Sequence, residues 1–281
     1  MVDTRPSAGR PVISPPSRWE RTRAGVPIAL WPDGSGVPLI FCHGHVGDHA
    51  TLAPAYAPWI GQVPIAAIDL PWHGDAPRPE ALDVALNTRA ILDAVETLGW
   101  SRCRGVAHSA ACADLLRAAT AEPSRFDALL LIAPTADVDD TLRAEFMGFA
   151  SLLRDRGFDE TVVDLALARW FSDNYRALNP DTRARLALEL RRQDASAVAN
   201  ALEAFARSPS LLPAPRDLAA MGVRVEALMM EQDAAAPEAH ASGLLDAYGA
   251  RRSHLPGGHR PFDEVPEAFQ QELARFINRP R

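Results

Sequence analysis

Gly105-Val106-Ala107-His108-Ser109-Ala110-Ala111 joins a short apolar run to a helical pattern that continues to residue 121. The serine lies where the predicted strand ends and the helix begins, so the chain must turn sharply at this point. Residues two before and two after such a serine must be small, because the strand and the helix almost touch there. Ala107 and Ala111 meet this requirement, although a serine between alanines is more often a simple helix N-cap. The stretch therefore predicts a strand, a tight turn that presents Ser109, and a helix.

Apolar runs and helical patterns alternate on both sides of this stretch. The other runs that predict buried strands lie at residues 38–42, 63–68, 128–133 and 223–230. Apolar residues at helical spacing occur at residues 91–98 and 269–276. Strands that alternate with helices imply right-handed β-α-β units. The predicted fold class is therefore α/β, with a mostly parallel central sheet flanked by helices.

Residues 138–215 interrupt this alternation with a long helical pattern rich in Arg, Asp and Glu. The block has no convincing strand, and a helical block between two sheet strands is best explained as an inserted helical cap. Residues 1–18 are rich in Pro, Ser and Arg without periodicity, which predicts a disordered tail. The cap then divides the predicted core into residues 19–137 and 216–281.

The composition excludes several classes of partner and chemistry. A net charge of −7 argues against nucleic acid or an anionic membrane surface as a partner. The chain contains no lysine, which excludes Schiff-base chemistry on a lysine side chain. No apolar run approaches the roughly 18 residues that span a bilayer, and the first residues lack the apolar core of a secretory signal. We therefore expect a cytoplasmic protein, and an odd number of cysteines predicts no structural disulfide between Cys42, Cys103 and Cys112.

Two later stretches place an acid at the end of an apolar run and a glycine-flanked histidine just before a helix. M-M-E-Q-D (229–233) ends a predicted strand in a carboxylate, and G-G-H-R-P (257–261) precedes the last predicted helix. A histidine flanked by glycine can shift slightly while it accepts and returns a proton. Ser109, Asp233 and His259 are therefore the predicted nucleophile, acid and base, in the chain order Ser, Asp, His. Asp137, which follows the run at residues 128–133, is the alternative acid.

These stretches resemble the α/β-hydrolase superfamily over nearly all of residues 20–279. The matching segments are P-L-I-F-C-H-G (38–44), A-I-D-L-P-W-H-G-D (67–75), G-V-A-H-S (105–109), M-M-E-Q-D-A-A-A-P (229–237) and L-P-G-G-H-R-P-F-D-E-V-P-E-A-F (255–269). The resemblance implies a serine hydrolase with the triad named above. The cap segment R-W-F (169–171) is similar to that of 3-oxoadipate enol-lactonases and, more loosely, to that of meta-cleavage C–C hydrolases.

The resemblance also implies an oxyanion hole, which is a pair of backbone N–H groups that bind the negative oxygen of the reaction intermediate. The loop after the strand at residues 38–42 supplies one N–H, assigned to His45. The residue after the nucleophile, Ala110, supplies the other. The residues predicted to contact the substrate are His43, Gly44, Trp72, Trp170 and Phe171. Trp72 stands where family members usually carry glycine, so we expect its bulk to shape the mouth of the pocket.

One run comes near a metal-ligand pattern. The histidines at positions 43, 45 and 49, with Asp48, approach the spacing H-x-H-x-D-H of metallo-hydrolases, but the aspartate comes one residue late. No metal and no cofactor are therefore expected at this run or elsewhere.

The sequence leaves three functions open. The leading prediction is a hydrolase that cleaves a small carboxylic ester or lactone through a Ser-His-Asp triad. The second uses the same triad for C–C or thioester cleavage, or for acyl transfer or cyclisation in a biosynthetic pathway. The third is a ligand receptor built on the hydrolase fold. The expected partner is a small-molecule substrate, and a homodimer is an open alternative.

Overall fold

The computed structural model describes residues 14–135, 138–211 and 218–280. The described strands form one eight-stranded sheet. They are β1 (Arg18–Arg21), β2 (Pro27–Trp31), β3 (Leu39–Cys42), β4 (Ile65–Ile68), β5 (Cys103–His108), β6 (Phe126–Ile132), β7 (Arg224–Met230) and β8 (Arg251–Leu255). Their order across the sheet is β1-β2-β4-β3-β5-β6-β7-β8, and only the pairs β1–β2 and β2–β4 are antiparallel. The prediction of a mostly parallel sheet is confirmed.

Helices connect the parallel strands and cover both faces of the sheet. The described α-helices are α1 (Ala53–Tyr56), α2 (Leu86–Thr97), α3 (Ala111–Ala121), α4 (Asp140–Arg156), α5 (Glu160–Trp170), α6 (Asp173–Leu178), α7 (Thr182–Leu190), α8 (Ala195–Ala206), α9 (Ser242–Ala247), α10 (Pro261–Glu264) and α11 (Pro266–Asn278). Short 3₁₀ turns lie at His49–Leu52, Ala57–Trp59, Pro123–Arg125 and Glu238–His240.

The hydrophobic core has one layer on each face of the sheet. Side chains of α2, α3 and α9 pack on one face, and side chains of α1 and α11 pack on the other. All seven residues of β6 are buried, because helices cover the strand on both sides. This double coverage explains why the central strands read as continuous apolar runs and not as alternating patterns.

The contact between β5 and α3 is close. A Cβ atom built on Gly105 would lie 2.7 Å from a methyl carbon of Leu115. Ala107 and Ala111 are fully buried beside this contact. Small residues at these positions therefore allow α3 to lie directly against β5 after the turn at Ser109.

Helices α4 to α8 lie between β6 and β7 in the chain and form a separate layer, here called the cap. Their apolar side chains make a cluster of their own, with α4 packed against α8 and α5 against α7. Val46, which follows β3, joins that cluster from the core side. The exact domain boundaries stay a prediction.

The N-terminal segment is ordered earlier than expected. Residue 18 already belongs to β1, which pairs with β2. The indole N–H of Trp31 also lies 3.2 and 3.1 Å from the carbonyl oxygens of Ser14 and Pro15. Residue 18 of the predicted tail over residues 1–18 therefore belongs to the sheet, and residues 1–13 lie outside the described residues.

Two further expectations concern disulfide bonds and membrane-spanning helices. Cys42, Cys103 and Cys112 are buried and free. Burial raises the pKa of all three thiols above the ordinary value, so they stay protonated. Within the described ranges, no helix combines the length and apolar character that a membrane crossing requires.

Candidate active site

Ser109 lies in a strained turn between β5 and α3. Its φ angle is 58°, in the left-handed region that residues other than glycine seldom adopt. The turn is held because the Ser109 N–H donates to the carbonyl of Ile132 at 2.9 Å. The Ser109 carbonyl in turn accepts from the N–H of Cys112 at 3.0 Å. These bonds keep the side chain at the carboxyl edge of the parallel strands.

Three predicted residues meet at this edge. The Ser109 Oγ lies 2.9 Å from His259 Nε2, and His259 Nδ1 lies 2.8 Å from Asp233 Oδ2. The loops after β5, β7 and β8 bring these side chains together across 150 residues of sequence. The alternative acid, Asp137, lies outside the described residues.

The environment of Asp233 fixes the proton positions in this chain of hydrogen bonds. Its Oδ1 accepts from the N–H groups of Ala235 and Ala236, both at 2.8 Å. Burial alone would raise the pKa of this carboxyl, but His259 and the two amides outweigh burial and lower it. An ionised Asp233 accepts the Nδ1–H of His259, which leaves the Nε2 lone pair free to accept the Ser109 proton.

The loop after β3 passes directly over Ser109. A Cβ atom on Gly44 would lie 3.0 Å from both His108 Nδ1 and Ser109 Cβ, so any other residue would require these neighbours to shift by a few tenths of an ångström. Among the described residues, the structure gives no acceptor to the N–H of His45 or to that of Ala110. Two unpaired amides beside a serine are what an oxyanion requires.

A cavity of about 230 Å³ opens above Ser109, between the edge of the sheet and the cap. Gly44, His45, Ser109 and His259 form its floor. Most of the cap residues that line it are apolar: Leu142, Phe146, Phe149, Leu152, Leu165, Ala166, Trp170 and Leu202. The cavity can therefore hold a small apolar group with its reactive atom next to Ser109.

A family model described as the alpha/beta hydrolase family matches residues 39–272, which is most of the chain. The chain belongs to the α/β-hydrolase family. The resemblance identified from the sequence is thereby confirmed. No curated protein matches the sequence at a significant level.

Solved structures confirm the α/β-hydrolase fold. An esterase from Thermogutta terrifontis is 17% identical, with a TM-score of 0.79 over 92% of this chain and 97% of its own. The enol-lactonase from Burkholderia xenovorans LB400 is 20% identical, with a TM-score of 0.76 over 93% of this chain and 100% of its own. A bromoperoxidase from Bacillus anthracis is 14% identical, with a TM-score of 0.76 over the same shares. At these identities, the likeness concerns the fold alone.

Three residues predicted to contact the substrate lie away from the cavity of this α/β hydrolase. His43 is fully buried, where its Nε2 accepts from the Leu70 N–H at 2.9 Å and its Nδ1 lies 2.8 Å from the Gly44 carbonyl. Burial lowers the pKa of His43, and a neutral ring with its proton on Nδ1 satisfies both bonds. His43 therefore holds the loop that carries Gly44 in place and does not reach the substrate cavity.

Trp72 and Phe171 are the other two corrections. Trp72 is buried against small side chains of α8, and its indole N–H donates to the Pro79 carbonyl at 2.9 Å. It therefore supports the base of the cap and does not shape the cavity mouth. Phe171 stacks on Tyr175 at 5.5 Å and lines a second cavity, which shares Glu189 and Arg260 with the main one. Gly44 and Trp170 line the main cavity, and their contact with a substrate stays a prediction.

Two histidines of the hydrolase site are held neutral by burial. Burial, and then the neighbouring His43, lower the pKa of His45 to about 3. The His45 ring lies among the rings of His73 and Phe205, and its nitrogens have no partner among the described residues. Burial, and then His259, hold the pKa of His108 well below its ordinary value. Neutral His108 donates from Nε2 to the His259 carbonyl at 2.9 Å, a role that its position in the sequence did not reveal.

The residues that nearly match a metal-ligand pattern form other hydrogen bonds. Asp48 accepts from the N–H of Thr51 at 3.0 Å and from the side-chain amide of Gln193 at 3.0 Å. His49 Nδ1 lies 2.7 Å from Asp69. In the part of the chain that the structure describes, no group of three or more His, Cys, Asp or Glu side chains could hold a metal ion.

Sequence reasoning also missed a buried ion pair beside the site. Arg260 donates to Glu189 of α7 at 2.9 and 3.3 Å, and both residues line the main cavity. The two side chains are 71 residues apart in sequence. No local pattern joins them, because Arg260 belongs to the segment that carries His259 and Glu189 belongs to the helical block at residues 138–215.

Proposed function

We propose that this α/β hydrolase cleaves a carboxylic ester or a lactone of a small molecule, with Ser109, His259 and Asp233 as its catalytic triad. The observation that carries the proposal is the unbroken chain of hydrogen bonds from Ser109 Oγ to His259 to Asp233, at 2.9 and 2.8 Å. Neighbouring folds that are named esterase and enol-lactonase support the choice of an ester or lactone bond.

Acylation begins when His259 Nε2 takes the proton of Ser109 and Oγ attacks the carbonyl carbon. The carbonyl π electrons move to the oxygen, which becomes negative and accepts hydrogen bonds from the N–H groups of His45 and Ala110. The bond to the alcohol oxygen then breaks, and that oxygen receives the proton held by His259. The products of this half are the alcohol and an acyl ester on Ser109. A lactone opens by the same steps, but its alcohol stays attached to the acyl group.

Deacylation repeats these steps with water. His259 takes a proton from a water molecule, and the hydroxide attacks the acyl carbon. The bond to Ser109 Oγ then breaks and the serine regains its proton, so a carboxylic acid leaves. Asp233 remains ionised in both halves, because its lowered pKa favours the charged form that stabilises the imidazolium.

The cavity supports a substrate with a small and largely apolar acyl group. Its charged side chains are already paired: Arg169 with Glu145 at 2.8 Å, and Arg260 with Glu189 at 2.9 Å. An additional substrate charge would have to compete with these pairs. A neutral ester or lactone that fits within about 230 Å³ avoids that cost.

Intact-mass analysis after treatment with a fluorophosphonate tests the nucleophile. We expect one covalent adduct on the wild-type protein and none on Ser109→Ala, because only a deprotonated serine attacks phosphorus at a useful rate. Ser151→Ala, which removes an exposed serine of α4, is the matched control and should keep the adduct. A wild-type protein that gains no adduct, or a Ser109→Ala variant that keeps it, would contradict the proposal.

Hydrolysis of p-nitrophenyl acetate tests the reaction itself. The wild-type protein should release p-nitrophenol through repeated turnovers, and Ser109→Ala should not exceed the rate without protein by more than about 10⁴-fold. Adduct formation without turnover would show an activated serine whose acyl-enzyme is not hydrolysed, and would count against a hydrolase.

A further inference from the structure

The residue after His259, Arg260, forms two hydrogen bonds with the cap, and this pair of bonds is here called the clamp. Arg260 Nη1 and Nη2 donate to the two carboxylate oxygens of Glu189, at 2.9 and 3.3 Å. Glu189 belongs to α7 of the cap, and the two side chains are only 8% and 4% exposed. The hydroxyl of Thr51, a residue that follows the loop over Ser109, lies 3.3 Å from the same carboxylate and 3.3 Å from Asp48 Oδ1, so its one proton is shared between the two acceptors. One cap carboxylate therefore contacts two loops. They are the loop between β8 and α10 that carries His259, here called the histidine loop, and the loop after β3 that carries His45, here called the oxyanion loop.

The residue before His259 is tied to the cap as well. The Gly258 N–H donates to Glu264 Oε1 at 3.0 Å, and the Ser172 hydroxyl of the cap donates to Glu264 Oε2 at 2.6 Å. A Cβ atom on Gly258 would lie 2.8 Å from the Ser172 nitrogen and 3.0 Å from the Trp170 carbonyl oxygen. The cap backbone thus rests directly on Gly258. Both neighbours of His259 depend on where the cap sits.

The charges in this region point to positioning and not to simple stabilisation. Arg260 also pairs through Nε with Asp263 at 2.6 Å. Burial alone would lower the pKa of Arg260, but Asp263 and Glu189 together raise it, so the side chain stays charged. The desolvation of buried ions largely offsets their attraction, so such a pair adds little stability compared with apolar packing. What the pair does supply is a fixed direction and distance between α7 and the histidine loop.

We propose that docking of the cap sets the position of the His259 imidazole, with Glu189 and Arg260 as positioning residues. This inference rests on the proposed function of Ser109 and His259. While the clamp is closed, the chain is held on both sides of His259, and Nε2 stays within reach of Ser109 Oγ. When the clamp opens, the loop gains freedom and fewer molecules have the serine and histidine aligned. The cap position that encloses the substrate therefore also aligns His259 to accept the proton of Ser109.

The test compares two cap carboxylates. Glu189→Gln keeps the shape of the side chain and removes the charge that holds Arg260. Glu203→Gln is the matched control, because Glu203 pairs with Arg154 and Arg207 and has no bond to the histidine loop. Both variants are assayed with p-nitrophenyl acetate and with a fluorophosphonate, after circular dichroism has established that they are folded.

We expect the kcat of Glu189→Gln and its rate of phosphonylation to fall on the order of 10- to 100-fold, because a displacement of about 1 Å at a reacting group has that effect. KM should stay within about 2-fold of the wild-type value, since the small acetyl ester makes few contacts with the cap. Glu203→Gln should react at the wild-type rate. A loss of stability alone would not lower kcat in a protein that remains folded.

Ser172→Ala provides the second variant, since it removes the 2.6 Å bond from the Ser172 hydroxyl to Glu264 with little change in volume and leaves only the longer bonds from the Ser172 N–H, at 3.3 and 3.4 Å. It should lower the same two rates without a change in KM, even if Glu189→Gln does not fold. A folded variant of either kind that reacts at the wild-type rate overturns the inference. A wild-type protein that neither reacts with the fluorophosphonate nor hydrolyses the ester would overturn the proposed function, and this inference with it.

Discussion

Backbone strain concentrates at the carboxyl edge of the sheet, around Ser109. Among the described residues other than glycine, positive φ angles occur at Val46 (70°), Trp72 (68°), Ser109 (58°) and Ala133 (46°). Such a conformation costs about 1–3 kcal/mol per residue and persists only where the surroundings impose it. At Ser109 the cost is offset by three backbone hydrogen bonds, one from its N–H and two to its carbonyl. The strained turn keeps Oγ free of the helix and within reach of His259.

Asp233→Asn should lower kcat for p-nitrophenyl acetate by about 10⁴-fold, because it reverses the proton positions on His259. The amides of Ala235 and Ala236 donate to Oδ1, so the carbonyl oxygen of asparagine must take that place. Its NH₂ group then faces His259 Nδ1, which becomes an acceptor, and the ring proton moves to Nε2. A protonated Nε2 cannot accept the proton of Ser109.

The control for this prediction is Asp246→Asn, which changes an exposed aspartate of α9 and should leave kcat unchanged. Thermal unfolding of both variants checks that the fold is retained. A kcat of Asp233→Asn within about 10-fold of wild type would show that Asp233 does not set the tautomer of His259.

Ser109 and Asp233 each follow a largely buried strand, and the carboxyl ends of parallel strands meet at one edge, so the sequence carries a signal for their proximity. His259 follows the partly exposed strand β8 and was predicted from its flanking glycine and the helix after it. No local sequence pattern predicts the direction in which a side chain of a loop points. Trp72 was assigned to the pocket mouth from its size, but its positive φ turns the chain and buries the indole under α8. His43 was assigned to the substrate, but two backbone hydrogen bonds fix it below the loop.

At the scale of elements, the end of β4 organises the segment that carries the oxyanion loop. Asp69 follows β4 and accepts from the His49 N–H at 2.8 Å, from the His49 ring at 2.7 Å and from the Asp75 N–H at 3.1 Å. The exposed ring of Trp19 packs edge-on against His49 at 4.9 Å. The 3₁₀ turn His49–Leu52 is thus fastened to the sheet, and the loop from Gly44 to Asp48 is held between two fixed points.

This link predicts a pH dependence of stability. Burial alone would lower the pKa of His49, but the hydrogen bond and charge of Asp69 outweigh burial and raise it. The stabilisation is therefore fully present below the unfolded pKa of about 6.5 and is lost as the pH rises through the folded value. The pKa of Asp69 is lowered to about 2, so its own contribution is lost only in strong acid.

Urea unfolding of the wild-type protein and of His49→Gln measures this effect. The difference in unfolding free energy between the two proteins should be largest below the unfolded pKa of about 6.5 and should shrink as the pH rises through the raised pKa of folded His49. A difference that stays constant over this range would show that His49 and Asp69 interact without a change in protonation.

Strands β1, β2 and β8 were not predicted from the sequence, and β1 shows one reason. Its sequence, Arg-Trp-Glu-Arg, is mostly exposed, since the strand lies at the edge of the sheet and pairs on one side only. Edge strands need no continuous apolar run, so a search for buried runs does not find them. Strands β3 to β7 and the long helices were predictable, because burial on both faces or on one stripe imposes the pattern.

At the scale of the whole molecule, the main cavity above Ser109 lies between two layers, the edge of the sheet and the cap. Its floor comes from loops at the edge of the sheet, and its walls come from α4, α5 and α8 of the cap. The insertion of a helical block was predictable from the sequence, but its docking was not. The contact between Thr51 and Glu189 joins residues 138 positions apart, and no periodic pattern encodes such a pairing.

The shape of the cavity predicts a selectivity for acyl length that one position can change. Gly148 lies in α4, lines the cavity, and has open space where a Cβ would be. Gly148→Phe should place a ring in that space, beside Phe149 and Leu152, and shorten the apolar end of the cavity. We expect kcat/KM for p-nitrophenyl hexanoate to fall roughly 10-fold more than for p-nitrophenyl acetate, since each lost apolar contact is worth about 1–3 kcal/mol.

Gly148→Ala is the matched control, because a methyl group leaves the cavity open and a helix interior favours alanine over glycine by about 1 kcal/mol. This variant should keep the ratio of the two kcat/KM values and unfold at a slightly higher temperature. An equal loss for both esters in Gly148→Phe would mean that the ring had displaced the cap, since a displaced cap acts on His259 whatever the acyl group. A loss confined to the longer ester would instead place the acyl chain along α4, with the cap still docked on Gly258 and Arg260.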